Sequence, residues 1–182
     1  MDDHDDARWV IRREVADDHA AVAAVVEAAF GSPAEARLVD AIRASSEYIA
    51  ELALVAELDG RVVGHVMISR ATLVDGEHER RIVMLSPLAV SPEQHGRGIG
   101  SALVREVTTR ADGCGEPLVV LEGDPGFYGR LGFEHALARG IEITLPSWAP
   151  PEAAQVMRLS SYDPAWRGHV VYPPTFDEFA EH

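Results

Sequence analysis

Three closely spaced glycines, Gly96, Gly98 and Gly100, are the residues whose type and spacing most directly suggest chemistry. They follow an apolar run at residues 85–90 and precede a segment with apolar residues at helical spacing, namely Leu103, Val104, Val107 and Ala111. A strand that passes through glycines into a helix leaves backbone N–H groups unpaired, and the helix dipole adds partial positive charge there. The pattern therefore predicts a phosphate-binding turn.

The glycines alone leave the phosphate ligand open. A similar spacing occurs in dinucleotide-binding folds, in which an acidic residue about twenty positions further on binds the ribose. Glu122 lies near that distance. However, that fold alternates strands with helices, whereas hairpins precede this turn. A nucleotide-dependent oxidoreductase is therefore the less favoured hypothesis.

Two sequence segments, and the distance between them along the chain, favour a ligand other than a dinucleotide. Residues 95–100 read His-Gly-Arg-Gly-Ile-Gly, and residues 128–133 read Tyr-Gly-Arg-Leu-Gly-Phe. Together they resemble the GNAT superfamily of acyl-CoA-dependent N-acetyltransferases, whose signatures are Q/R-x-x-G-x-G/A and, further on, Y-x-K/R-x-G-F. His95 departs from the usual Gln or Arg. Because backbone N–H groups supply most of the pyrophosphate contacts, this departure weakens the resemblance little. The wider region resembles small bacterial acetyltransferases without an assigned substrate.

The resemblance implies that acetyl-CoA is the co-substrate and that the sheet contains a splayed parallel pair of strands. The pantetheine arm would add to the edge of the first strand as an extra strand does, with the Leu88 N–H facing the thioester oxygen. The implied cofactor-binding residues are Leu88, Ala89, Val90, His95, Gly96, Arg97, Gly98, Ile99, Gly100 and Ser101.

The resemblance also implies catalytic residues. Tyr128 occupies the general-acid position, where its phenol would stabilise the departing thiolate. The strand position that carries a glutamate base in many members is Met84 here. Glu122 is the first substitute as a base, Asp124 is the second, and a water chain that touches neither remains an alternative.

Composition limits the classes of partner. The chain has 182 residues, with 16 basic and 30 acidic residues and a formal charge of −14. This balance disfavours nucleic acid and membrane surfaces as partners. The single cysteine, Cys114, fits a reducing cytoplasm. The histidines show no metal-ligand spacing, so we expect no metal.

The order of predicted elements indicates an α/β protein with a mixed, mostly antiparallel sheet in one domain, residues 1–182, after a mobile tail at 1–7. A strand at 8–15 leads to a helix with an apolar stripe, from Val22 to Phe30. A capping box at 32–35 starts a second helix. Asp59 and Gly60 predict a hairpin between strands at 52–58 and 61–69.

The C-terminal third is harder to interpret. It predicts strands at 141–145 and 155–159, and an edge strand at 168–172 whose Val170 and Val171 could pair across a homodimer. Its aromatic residues, Trp148, Tyr162, Trp166 and Tyr172, either line an acceptor pocket or hold this segment on the sheet.

The sequence therefore predicts an enzyme that transfers acetyl from acetyl-CoA to a primary amine by direct attack. The acceptor, a small amine or a protein lysine or N-terminus, stays open. Glu27, Phe30 and Glu35 are candidate acceptor contacts, because the two N-terminal helices cover the acceptor side in this family. The alternative is a catalytically weak domain that binds and senses acyl-CoA.

Overall fold

The computed structural model describes residues 9–179, and the predicted tail at 1–7 lies outside them. The strands are β1 Trp9–Arg13, β2 Ala53–Leu58, β3 Arg61–Asp75, β4 His78–Val90, β5 Leu118–Glu122, β6 Glu134–His135, β7 Ile141–Glu142, β8 Ala154–Arg158 and β9 Gly168–Val171. The α-helices are α1 His19–Phe30, α2 Ala34–Arg43, α3 Ile99–Gly113 and the single turn α4 Pro125–Tyr128.

The described strands form one mixed sheet, in the order β1-β2-β3-β4-β5-β8-β6, with β9 added to β3 and β7 added to β9. Neighbours are antiparallel except for β4 with β5 and β7 with β9. The predicted α/β fold with a mostly antiparallel sheet is thus confirmed.

The parallel pair β4 and β5 separates soon after it forms. The two strands pair only at Val83 with Val119 and at Met84 with Val120. β4 then continues to Val90 against β3, and its other side has no partner strand among the described residues. The backbone of residues 85–90 is therefore free to bind an extended ligand.

Helices cover both faces of the sheet. Leu103 and Val107 of α3 pack against Leu54 and Ala56 of β2, whereas Ala53 and Val55 of the same strand face α1 and α2. Because β2 is buried on both faces, its sequence is a continuous apolar run rather than an alternating one. Gly64 of β3 lets α3 approach, since a methyl group there would lie 2.9 Å from Cδ1 of Leu103.

The predicted hairpin is confirmed, with φ angles of 50° at Asp59 and 75° at Gly60. The predicted capping box is wrong. The Oγ atom of Ser32 accepts a hydrogen bond from the N–H of Ala34 at 3.2 Å, and no side chain caps α2. The reciprocal hydrogen bond, from the N–H of Ser32 to the Glu35 carboxylate, is also absent among residues 9–179, so Glu35 is not engaged at the start of its own helix.

The C-terminal strand β9 pairs with β3 on one side and, over two residues, with β7 on the other. Val170 pairs with Leu73 of β3, and Gly168 pairs with Ile141 of β7. β3 extends well beyond the end of β2, so β9 takes the position beside β3 that β2 leaves vacant. β7 covers the second side of β9 only at Gly168 and His169, so the pairing of Val170 and Val171 across a homodimer stays a prediction.

None of the helices within residues 9–179 has the length and apolar character needed to cross a lipid bilayer.

Candidate active site

The glycine turn opens a cavity at the start of α3. Gly96 and Gly98 have φ angles of 80° and 81°, which side-chain-bearing residues rarely adopt. The first hydrogen bond of α3 runs from the N–H of Ala102 to the carbonyl of Gly98 at 3.0 Å. The preceding N–H groups of the first turn therefore have no partner within the helix and are available to an anion.

This cofactor cavity has a volume of about 520 Å³. Nine of the ten predicted cofactor residues line it, and only Arg97 does not. Phe30 and Ala29 from α1 and Phe127 from α4 complete the apolar part of the wall.

His95 connects the glycine turn to the end of β4 through a hydrogen bond. Its Nε2 atom lies 2.9 Å from the carbonyl oxygen of Val90. Because a carbonyl oxygen can only accept a hydrogen bond, Nε2 is the donor. The histidine thus joins the strand that faces the pantetheine arm to the turn that faces the phosphates.

A second cavity, of about 760 Å³, adjoins the first, and Phe30 and Leu88 line both. We call it the acceptor cavity. It lies between the start of α2, the open part of β4, the end of β5 and the loop that contains Trp148. The two predicted catalytic residues, Glu122 and Tyr128, both line it.

Tyr128 is held by packing. Its ring lies edge-on to Phe127, at 4.8 Å between centroids, and to Phe133, at 5.6 Å. Gly123 allows this position, since a methyl group there would lie 2.5 Å from Cε2 of Tyr128. Burial raises the pKa of Tyr128 to about 12. Its hydroxyl makes no hydrogen bond to other residues between 9 and 179, so it is free for a ligand.

Asp124 positions the turn that carries Tyr128. Its side chain accepts a hydrogen bond from the N–H of Gly126 at 2.9 Å, and Pro125 occupies the first position of α4. This arrangement is an N-cap. Asp124 also lines the acceptor cavity, but its Oδ1 atom is already engaged.

Glu122 lies at the end of β5, where the strands have separated. Its Oε2 atom accepts a hydrogen bond from the hydroxyl of Tyr172 at 2.8 Å. Burial raises the pKa of Glu122, and the hydrogen bond from Tyr172 offsets part of that rise. Tyr172 is therefore a site residue that the sequence left undecided, since nothing local links it to a carboxylate fifty positions away.

The remaining residues that the sequence suggests for the acceptor side fall into two groups, those that line the acceptor cavity and those that do not. Phe30 and Glu35 line the acceptor cavity, whereas Glu27 does not. Trp148 lines it too, while Trp166 packs under Arg80 instead. Met84 is buried in the core and lines neither cavity.

The part of the chain between residues 9 and 179 contains no group of three or more His, Cys, Asp or Glu side chains that could hold a metal ion.

Comparison with known proteins agrees with this geometry. The family model described as an acetyltransferase (GNAT) domain matches residues 10–136. The chain is 36% identical over 152 residues to YhbS of Escherichia coli K12, described as an uncharacterized N-acetyltransferase, and the match covers 83% of this chain and 87% of that protein.

Solved structures give the same result. The crystal structure of E. coli YhbS in complex with CoA has a TM-score of 0.85 at 32% identity, covering 96% of this chain and 94% of that one. A GNAT family acetyltransferase from Brucella melitensis in complex with acetyl-CoA has a TM-score of 0.74 at 32% identity, covering 94% and 99%. The chain belongs to the GNAT family of acetyltransferases.

Proposed function

We propose that this enzyme transfers acetyl from acetyl-CoA to a primary amine by direct attack, with Glu122 as the base and Tyr128 as the hydrogen-bond donor to the leaving thiolate. The observation that carries this proposal is the junction of the two cavities. Leu88 and Phe30 line both of them, so a thioester beside β4 would face the cavity that contains Glu122 and Tyr128.

The cofactor would bind mainly through backbone groups. The N–H groups at the start of α3 face the pyrophosphate, and the open side of residues 85–90 faces the pantetheine arm. Pro87 has no N–H to donate, so the N–H of Leu88 is the proposed donor to the thioester oxygen. A donor aimed at a developing oxyanion typically lowers a barrier by about 3 kcal/mol.

The amine must lose a proton before or during attack. An alkylamine with a pKa near 10.4 is neutral in fewer than about one molecule in a thousand at pH 7. Neighbouring groups partly desolvate Glu122, although its side chain still reaches solvent, and this raises its pKa. A base whose pKa lies nearer the working pH is more effective.

In the proposed step, the amine nitrogen forms a bond to the acetyl carbon and the carbon–sulfur bond breaks. Glu122 takes one proton from the ammonium so that the neutral amine can attack, and the nitrogen loses its second proton to solvent as the amide forms. The thiolate leaves with the electron pair of the broken bond, accepts a hydrogen bond from Tyr128 and later takes a proton from solvent.

Two observations support direct attack over a covalent acetyl-enzyme. The single cysteine, Cys114, lies at the end of α3 and lines neither cavity. Ser86 lines the acceptor cavity, but no hydrogen bond joins it to a base among residues 9–179. An activated nucleophile needs such a partner. The lone cysteine and the use of acetyl-CoA also support a cytoplasmic location.

The test begins with thermal shifts in acetyl-CoA, free CoA, NADH and ATP at matched concentrations. A ligand at about 100 times its Kd stabilises the fold by about 2.7 kcal/mol, which raises Tm by a few degrees. We expect shifts from the two CoA ligands alone. A panel of amines with detection of released thiol then tests transfer. Tight binding without acetyl transfer to any amine would favour the sensing domain instead.

A further inference from the structure

The acceptor cavity has one sign of charge. Its wall contains three carboxylates, Glu35, Glu122 and Asp124, and no Lys, Arg or His side chain from the described residues. Two of these carboxylates have partners within the protein, because Glu122 accepts a hydrogen bond from Tyr172 and Asp124 accepts one from Gly126. Glu35 remains.

Glu35 makes no hydrogen bond or ion pair with any residue between 9 and 179. Its Oε2 atom is nevertheless shielded from solvent. A carboxylate with one oxygen that has lost water and gained no donor is unfavourable. Because Oε2 is closed to a ligand as it is to water, a cationic group would contact Oε1 of the same carboxylate and offset that cost through its charge. In a capping box the Glu35 carboxylate would accept a hydrogen bond from the N–H of Ser32, and no such bond forms among residues 9–179, so the carboxylate is available to a ligand.

The surroundings of Glu35 are apolar. Leu38 lies one turn further along α2 on the same wall, and Leu145 and Trp148 line the cavity from the C-terminal loop. Trp148 is 74% exposed, which is unusual for a tryptophan and leaves its face available to a ligand. The cavity thus combines a carboxylate that lacks a donor with walls that suit methylene groups.

We propose that Glu35 binds a second cationic group of the acceptor, so that the preferred acceptor is a small, unbranched diamine. One amine reaches the thioester beside Leu88, and the other pairs with Glu35. The methylene chain between them packs against Leu38 and Trp148. This inference rests on the proposed function for the role of the first amine. The binding of the second amine does not depend on turnover.

The test is calorimetric binding to the CoA-bound protein. The ligands are the unbranched four- and five-carbon α,ω-diamines and, as single-charge controls, butylamine and pentylamine. We expect the better diamine to bind about 10- to 150-fold more tightly than its monoamine, the range for a hydrogen bond to a charged group. Glu35→Gln should abolish this preference, so that the diamine and its monoamine bind the variant with about equal affinity.

Glu27→Gln is the matched control. Glu27 is exposed on α1 and lies outside both cavities, so the substitution makes the same change in net charge without touching the cavity. It should retain the diamine preference. Equal binding of diamine and monoamine by the wild type, or equal effects of the two substitutions, would overturn the inference.

Acetyl transfer, measured on the same ligands, separates the two proposals. Diamine binding that depends on Glu35, without transfer to any amine, would contradict the proposed function and support the inference. Transfer to monoamines and diamines at equal kcat/KM, unchanged by Glu35→Gln, would support the function and refute the inference.

Discussion

Removal of the Tyr128 hydroxyl tests the catalytic proposal most directly. The ring is fixed by Phe127, Phe133 and the close approach of Gly123, and all three contacts persist in Tyr128→Phe. The hydroxyl has no hydrogen-bond partner among residues 9–179. The substitution should therefore change the free energy of unfolding by less than about 0.5 kcal/mol, as for sites without a special interaction.

The size of the kinetic effect follows from the burial of the phenol. With a pKa of about 12, Tyr128 is a weaker acid than a thiol of pKa about 8.5 by roughly 3.5 units. Full proton transfer to the thiolate would thus be uphill by about 5 kcal/mol. In the proposed mechanism Tyr128 is therefore a hydrogen-bond donor rather than an acid, and a hydrogen bond to a charged acceptor is worth about 1.5–3 kcal/mol. Its loss should lower kcat by about 10- to 150-fold.

Steady-state thiol release and calorimetric binding of acetyl-CoA would measure both effects. We expect kcat to fall and the Kd of acetyl-CoA to stay within about threefold, because the thiolate exists only after attack. Tyr162→Phe is the control, since Tyr162 packs near Arg158 and lines neither cavity. An unchanged kcat in Tyr128→Phe would remove Tyr128 from the mechanism.

Three further predictions concern other parts of the molecule. Tyr172→Phe removes the hydrogen bond that lowers the pKa of Glu122, so the acidic limb of the kcat/KM profile should move to higher pH; an unmoved limb would show that Glu122 is not the base. Gly98→Ala places a side chain at a φ of 81°, at a cost of about 1–2 kcal/mol, and should weaken CoA binding about tenfold in calorimetry. Gly113→Ala, at the other end of α3 and outside both cavities, would meet nothing within 4 Å and should stay within about threefold. Burial lowers the pKa of His65 to about 4, so the unfolded chain binds more protons between about pH 6.5 and pH 4, and stability falls by about 3 kcal/mol as the pH drops through that range. In denaturant unfolding, His65→Leu should lack this part of the loss; identical pH profiles for the two proteins would contradict it.

Local sequence predicts the cofactor side of the site well. Gly96 and Gly98 need positive φ angles, and α3 begins directly after them, so the turn and its N–H groups are defined within a few residues. The hairpin at Asp59 and Gly60 is predictable for the same reason. At both turns the backbone needs a positive φ angle, which few residue types adopt, so the local sequence identifies the turn.

The acceptor side depends on contacts between distant residues. Tyr172 reaches Glu122 because β9, which precedes it, pairs with the part of β3 that extends past β2. That part of β3 is available because β3 is longer than β2. No local pattern encodes the relative lengths of two paired strands. Phe30 shows the same limit, since its position on the apolar stripe of α1 predicts burial, yet it is 46% exposed where the helix reaches the two cavities.

The two cavities differ in charge in a way that matches the two substrates. No carboxylate lines the cofactor cavity, although the chain carries 30 acidic residues, and the donors there are backbone N–H groups rather than Lys or Arg. The acceptor cavity is lined by carboxylates alone among its ionisable groups, apart from Tyr128. Anionic CoA and a cationic amine therefore favour different sides of Leu88. In the proposed mechanism the amine loses its charge at the junction of the two cavities, and the neutral amide product then keeps no ion pair at the reacting nitrogen, which would favour its release.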